Sequence, residues 1–273
     1  MKSARFILLG GLIFLYGSLF AFQEKKGLER EIFLQAAMPA TFYQITTGYL
    51  KQLAAEMLFI RTCVFLGGVP PGTPETSYAG ALGNNLRVMT RLYPRFLDPY
   101  FICQAFLPHV SLEAAVETNT ILETGILAYP EHLLLRFFHG ANFFMSMNEP
   151  IKGAKAFEEA AKLPNAPPMF AHLAALLLAQ GGDLVAGLIS LKTMVASEKD
   201  EGVHARYQQE IMIFEQAIDI QVAIKTYIKK YGAAPETLVQ LVPEFIGQIP
   251  DIKDSFILVY NPPTLHLRRP DRK

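Results

Sequence analysis

The chain has no tryptophan, only two cysteines in 273 residues, and no surplus of either charge: 25 Lys and Arg stand against 25 Asp and Glu. Each shortage excludes something. A nucleic-acid surface needs excess basic side chains to displace counterions from phosphates, and the balance here argues against such a partner. Arg268, Arg269, Arg272 and Lys273 do cluster at the C-terminus, but Asp271 lies among them and the group reads as a solvated tail. Cys63 and Cys103 are too few and too far apart for a disulfide framework or a zinc site. Both sit in apolar segments (IRTCVF and FICQAF) and read as free thiols, with a disulfide open to them only in an oxidising compartment. HExxH, GxSxG, Walker A and GxGxxG motifs are also missing. No catalytic residue, metal site or cofactor is therefore assigned, and His109, His172, His204 and His266 read as scattered structural or exposed side chains.

What the chain does have is apolar surface, in 51% of its residues. After Lys2 and Arg5 no charge occurs from Phe6 to Gln23. As a helix, that segment would reach about 27 Å, close to the ~30 Å of bilayer hydrocarbon. A cleaved signal would need a small-x-small site, and the best candidate, Leu19-Phe20-Ala21, begins with leucine. Residues 1–23 are accordingly expected to be an uncleaved, single-pass anchor. The flanking positive charges nearly balance, so orientation follows the tendency of large C-terminal domains to be translocated. The expected arrangement has the N-terminus inside and the bulk extracytoplasmic, as in a bacterial inner-membrane protein facing the periplasm. A second apolar stretch, Thr41 to Leu66, carries Lys51, Glu56 and Arg61. Each would cost about 2.5–3.5 kcal/mol near a bilayer centre, so this stretch is expected to be a mostly buried helix or helix pair outside the membrane. Residues 67–77, GGVPPGTPETS, have the composition of a loop.

From residue 98 onward the chain reads as punctuated helices. Asp98-Pro99, Ser111 and Asp183 look like helix starts, and Pro130 and Pro150 mark boundaries. Tyr93-Pro94, Tyr129-Pro130 and Leu163-Pro164 recur 36 and 34 residues apart, the spacing of stacked supersecondary units. Phe137, Gly140, Ala141, Phe144, Gly153, Phe157, Ala160 and Pro164 follow the tetratricopeptide pattern of small residues and aromatics. Shifted by 34, the slots hold Ala171, Ala174, Ala175, Leu178, Gly187, Leu191 and Met194.

The segment from about 131 to 197 thus resembles the tetratricopeptide-repeat superfamily, in divergent form. The resemblance implies a mainly α fold, a TPR-like α-solenoid of antiparallel helix hairpins. Its expected divisions are the anchor at 1–23, a helical region at 24–97, repeats at 98–232 and a C-terminal short helix plus β-hairpin at 233–273. Asn119 departs from the pattern, standing where a small residue belongs. His132, Arg136, His139 and Phe143 share a helix face, but His132 and His139 would lie ~10.5 Å apart along the axis. Zinc–nitrogen bonds of about 2.0–2.1 Å do not span that, so the stripe reads as a partly solvated flank.

Solenoids bind partners on their concave side. On this register Leu135, Phe138, Asn142, Met145, Met169 and His172 would line it, a greasy surface suited to an apolar helix or peptide. The expected function is a membrane-anchored scaffold for protein–protein interaction in the cell envelope, with other envelope proteins as partners. Two alternatives stand beside it. One is an envelope enzyme acting on lipid or glycan, with Glu56 or a histidine as acid or base. The other is a structural part of a secretion or pilus apparatus, because the tail, YG-x-x-P-x-x-L-x-x-L and then a hairpin, resembles pseudopilin-like C-termini.

Overall fold

The computed structural model describes residues 15–18, 34–252 and 255–270. The expected anchor, 1–23, lies outside them apart from the helical turn at 15–18. Among the described residues no helix is long and apolar enough to cross a membrane. The protein is mainly helical, with a small C-terminal two-stranded antiparallel sheet. Its elements are α1 (Ala40–Thr47), α2 (Lys51–Gly68), α3 (Ala79–Leu92), α4 (Asp98–Phe106), α5 (Leu112–Ala128) and α6 (Leu133–Met145). They continue with α7 (Pro150–Ala161), α8 (Met169–Gln180), α9 (Leu184–Ser197), α10 (Glu201–Tyr231), β1 (Ile257–Asn261) and β2 (Thr264–Arg268).

Local chemistry sets most boundaries. Ser111 Oγ accepts from the Ala114 N–H at 3.1 Å to start α5, and Asp183 accepts from Ala186 at 3.1 Å to start α9. Asp98 behaves differently from its expected role. It is the first residue of α4, the cap position falls on Leu97, and no side chain caps it. Pro99 still sits in the first turn, where its missing N–H leaves no bond unmade. The recurring Tyr-Pro pairs are helix ends: Tyr93 and Tyr129 close α3 and α5. The 31-residue α10 ends on Gly232 at φ 76°, the left-handed conformation glycine adopts without strain.

The stretch from 41 to 66 forms α1, a 3₁₀ turn at Gly48–Leu50, and α2. It is not mostly buried, as its apolar content suggested. Only Ala55, Leu58, Thr62 and Phe65 of α2 are buried, and α1 buries nothing. Phe42, Ile45, Tyr49, Leu53, Met57, Ile60 and Val64 all face outward. The sequence could not reveal this because α2 is apolar on opposite sides, and one layer of neighbours covers only one.

Three apolar cores follow along the chain. The first runs from Leu34 to Leu135 across α2–α6 and is continuous through residue 97. The second centres on Phe157 and Phe170 between α6, α7 and α8. The third joins α8, α9 and α10 to the hairpin through Phe214, Phe256, Leu265 and Leu267.

The second and third cores are built around glycines. A Cβ on Gly153 would stand 3.1 Å from the Gly140 carbonyl oxygen and 3.2 Å from Leu177 Cδ1. Thirty-four residues on, a Cβ on Gly187 would stand 2.8 Å from the Ala175 carbonyl oxygen and 2.7 Å from Phe214 Cε1. In both cases the second helix of a hairpin rests on the backbone of the first, and a side chain from the next helix wedges in. The connecting turns are related but differ by one residue, 146–149 against 181–183. Asn148 (φ 54°) and Gly182 (φ 90°) are both left-handed, and Glu149 and Asp183 N–H groups bond back to Phe143 and Leu178 carbonyls at 2.7 and 2.9 Å. The Phe157 ring lies 3.1 Å from where a Gly140 Cβ would be, tilted against Phe137 (5.9 Å) and stacked with Phe170 (5.9 Å).

Gly187→Ala is expected to lower stability by about 1–3 kcal/mol, since neither backbone nor ring can yield cheaply. Gly80→Ala, at an exposed α3 position with open space around it, should instead raise stability by about 0.4–1 kcal/mol. Urea unfolding of both variants measures the difference.

Candidate functional site

The six residues expected to line a binding face are divided between interior and surface. Leu135 is fully buried in the first core. Asn142 is buried among amides. Its Nδ2 donates to Gln104 Oε1 (2.9 Å) and Asn119 Oδ1 (3.1 Å), and its Oδ1 accepts from Gln104 Nε2 (3.1 Å). Asn119 Nδ2 in turn donates to the His139 carbonyl at 3.2 Å. This network ties α4, α5 and α6 together at the place where the repeat pattern calls for a small residue. Asn119 stood out in the sequence as a departure, but its partners come from other helices and no local pattern pointed to them.

His172 is likewise spent inside. Its Nε2 lies 2.7 Å from Glu210 Oε2, and Tyr207 packs against its ring at 4.9 Å. Arg269 completes the group, donating to Glu210 Oε1 at 2.6 Å. A carboxylate this enclosed needs both donors to offset its lost hydration. Phe138 is half-buried, edge-on to Phe101 at 6.3 Å. Met145, 75% exposed, and Met169, 49% exposed, are the members that present most of their surface.

A cleft at the α6–α7 turn, beginning three residues on from Met145, escaped the sequence reading. It encloses about 710 Å³ and is lined by Asn148, Pro150, Ile151 and Lys152 at the start of α7, by Gln180, and by His266 of the hairpin. Two glycines create it. A Cβ on Gly181 would overlap the Ile151 side chain, and one on Gly182 would stand 2.8 Å from Thr264 Cγ2, so the hairpin can close on the α8–α9 turn only where side chains are absent. His266 Nδ1 donates to the Gln180 carbonyl at 2.9 Å and fixes the docking. The register Val259↔His266 then turns β1 along the cleft wall. Lys152 is paired with Glu149 at 2.8 Å, giving the rim mixed charge.

The remaining titratable groups are mostly structural. His139 lies in a smaller hollow of about 380 Å³ with Glu123, Arg136 and Glu159. Burial pushes its pKa below the ordinary imidazole value, and the Glu123 hydrogen bond at 3.3 Å opposes that. His132 lies one flank away, its Nδ1 accepting from the Leu135 N–H at 3.4 Å to cap α6. Both cysteines are free thiols, and burial pushes Cys103 up to about 12. Glu56 is exposed and makes no ion pair among the described residues. Among those residues no three His, Cys, Asp or Glu side chains lie close enough to hold a metal ion.

Set against protein-family models and curated proteins, the chain matches none. The reading of its function therefore rests on its own residues.

Two outcomes follow. Glu210→Gln should lower stability by about 1–3 kcal/mol, because a side chain only 4% exposed loses a charge-assisted pair. Arg269→Gln should cost less, about 1 kcal/mol or below, since its guanidinium is 46% exposed and screened by water. Equal losses in calorimetry would contradict this ordering. His139 is held neutral in the fold, so the folded state binds fewer protons than the unfolded chain as pH drops below about 6.5. Its contribution is complete above that value and disappears as pH falls through the lower, folded pKa. Between about pH 7.5 and 5 the wild-type Tm should fall further than that of His139→Asn; parallel curves would remove His139 from the account.

Proposed function

We propose that the protein is a membrane-anchored helical-repeat scaffold, of divergent tetratricopeptide type, that holds a protein partner in the cell envelope. The observation that carries this reading is the duplicated hairpin. Gly153 and Gly187, 34 residues apart, each rest on a carbonyl oxygen of the preceding helix, and Asn148 and Gly182 take positive φ at the same spacing. Repeats of this kind stack neighbour on neighbour and offer a long surface rather than a single reactive centre. Met145 and Met169 suit such a surface, because methionine is flexible and polarizable and adapts to varied apolar partners. The cleft beside β1 adds mixed charge at the α6–α7 turn.

The anchor is the uncharged segment from Phe6 to Gln23, which leads into the helical body from one end of the chain. A reporter fused after residue 273 that is active only outside the cytoplasm fits the expected topology. Activity inside would reverse it.

A photo-crosslinking residue placed at Met145, at Met169 and at Asn148 should trap the same envelope protein from all three positions in living cells. Val239, exposed on the C-terminal segment, serves as the comparison and should trap none. Labelling from Val239 equal to that from the three test positions, or from none of the four, would sink the scaffold reading.

A further inference from the structure

Helix α2 is apolar on two opposite sides. Ala55, Leu58, Thr62 and Phe65 join it to the body. On the far side Leu53, Met57, Ile60 and Val64 remain exposed, and Leu50 in the preceding turn extends the line. These five positions advance by three, four, three and four residues. The average step of 3.5 is the period of a seam between two supercoiled helices. A helix lying on lipid turns a broader apolar band to the surface and gathers Lys and Arg on its polar side. Here the band is narrow, and each edge carries a charge of different sign.

Those charges identify the occupant. With Leu50, Met57 and Val64 at the a positions and Leu53 and Ile60 at d, Glu56 falls at g and Arg61 at the e of the next heptad. In a parallel pair, a g side chain meets the partner's e side chain five residues further on. Glu56 and Arg61 are five residues apart and opposite in sign. A twofold axis would therefore form the pair twice, whereas antiparallel docking sets like charges against each other. Both groups are available. Glu56 has no ionic partner among the described residues. Arg61 donates to the exposed Gln35 Oε1 at 2.6 Å and keeps further donors in its fork.

We propose that this face of α2 is a self-association seam on which a second copy of the chain docks in parallel. Leu50, Leu53, Met57, Ile60 and Val64 lie at the axis, and Glu56 of each copy pairs with Arg61 of the other. The side joined to the body carries b, c and f positions, turned away from the line of a and d residues. The seam is short, about two heptads, so pairing is concentration-dependent. The proposal stands whether or not the scaffold reading does.

The test uses the full chain in lipid nanodiscs or mild detergent, with Cys63→Ser removing the half-exposed native thiol. Leu53→Cys and Val64→Cys are introduced separately and oxidised gently. A parallel seam gives a covalent homodimer from each variant alone. Adding Glu56→Arg should reduce the yield several-fold, and Glu56→Arg with Arg61→Glu should restore it, while melting curves of the dilute, monomeric chain stay unchanged because these sites are exposed there. Three results overturn the proposal. They are dimers formed only when the two cysteine variants are mixed, a charge swap that restores nothing, or a chain that stays monomeric at all concentrations while lipid vesicles protect both positions from labelling.

Discussion

For two helices to approach until one backbone touches the other, the side chain at the crossing has to vanish. That requirement governs the C-terminal half of this protein. Gly153 against the Gly140 carbonyl and Gly187 against the Ala175 carbonyl bring each pair of helices into direct backbone contact. The space that remains beside the crossing is filled from the following helix, by Leu177 in one unit and Phe214 in the next. Each hairpin is therefore completed by the element after it, and none is finished alone. The cluster of Phe137, Phe157 and Phe170 rings and the docking of α10 both depend on those crossings being tight.

The N-terminal half solves the same packing problem with different chemistry. Gly125 of α5 still meets the Tyr100 ring of α4, but where α4, α5 and α6 converge the interior holds Gln104, Asn119 and Asn142. Three amides can share a buried site only in one arrangement that pairs their donors and acceptors. Such a group contributes little net stability and fixes register strongly. It also marks the change from one style of packing to the other, since Asn119 Nδ2 reaches the backbone of α6 at His139, one residue before Gly140.

Much of this was legible in the amino acids. The turn residues, the caps at Ser111 and Asp183, the terminal glycine at 232 and the hairpin around Pro262-Pro263 are local signals, and they stand where the chain spelled them. The spacing of Gly153 and Gly187 was visible as periodicity before any geometry. What escaped detection was non-local. Asn142 and His172 looked like surface residues because their partners, Gln104 and Glu210, each lie 38 positions away in the chain. The cleft between α7 and the hairpin depends on where the tail docks, which no window of sequence encodes. Helix α2 misled for a different reason: an apolar side chain in a list of letters looks the same whether its own fold covers it or leaves it bare.

The terminal hairpin seals the third core with Phe256, Leu265 and Leu267, and it hangs from the α8–α9 turn through Gly182 and the Gln180 carbonyl. These residues follow all the helices in chain order. During synthesis, the apolar flank shared by α8 and α10 therefore waits uncovered until residues 256–267 have emerged from the ribosome. A polypeptide stalled or clipped before Phe256 would carry finished helices with a sticky, unroofed side, a form that quality-control chaperones and proteases are well equipped to recognise.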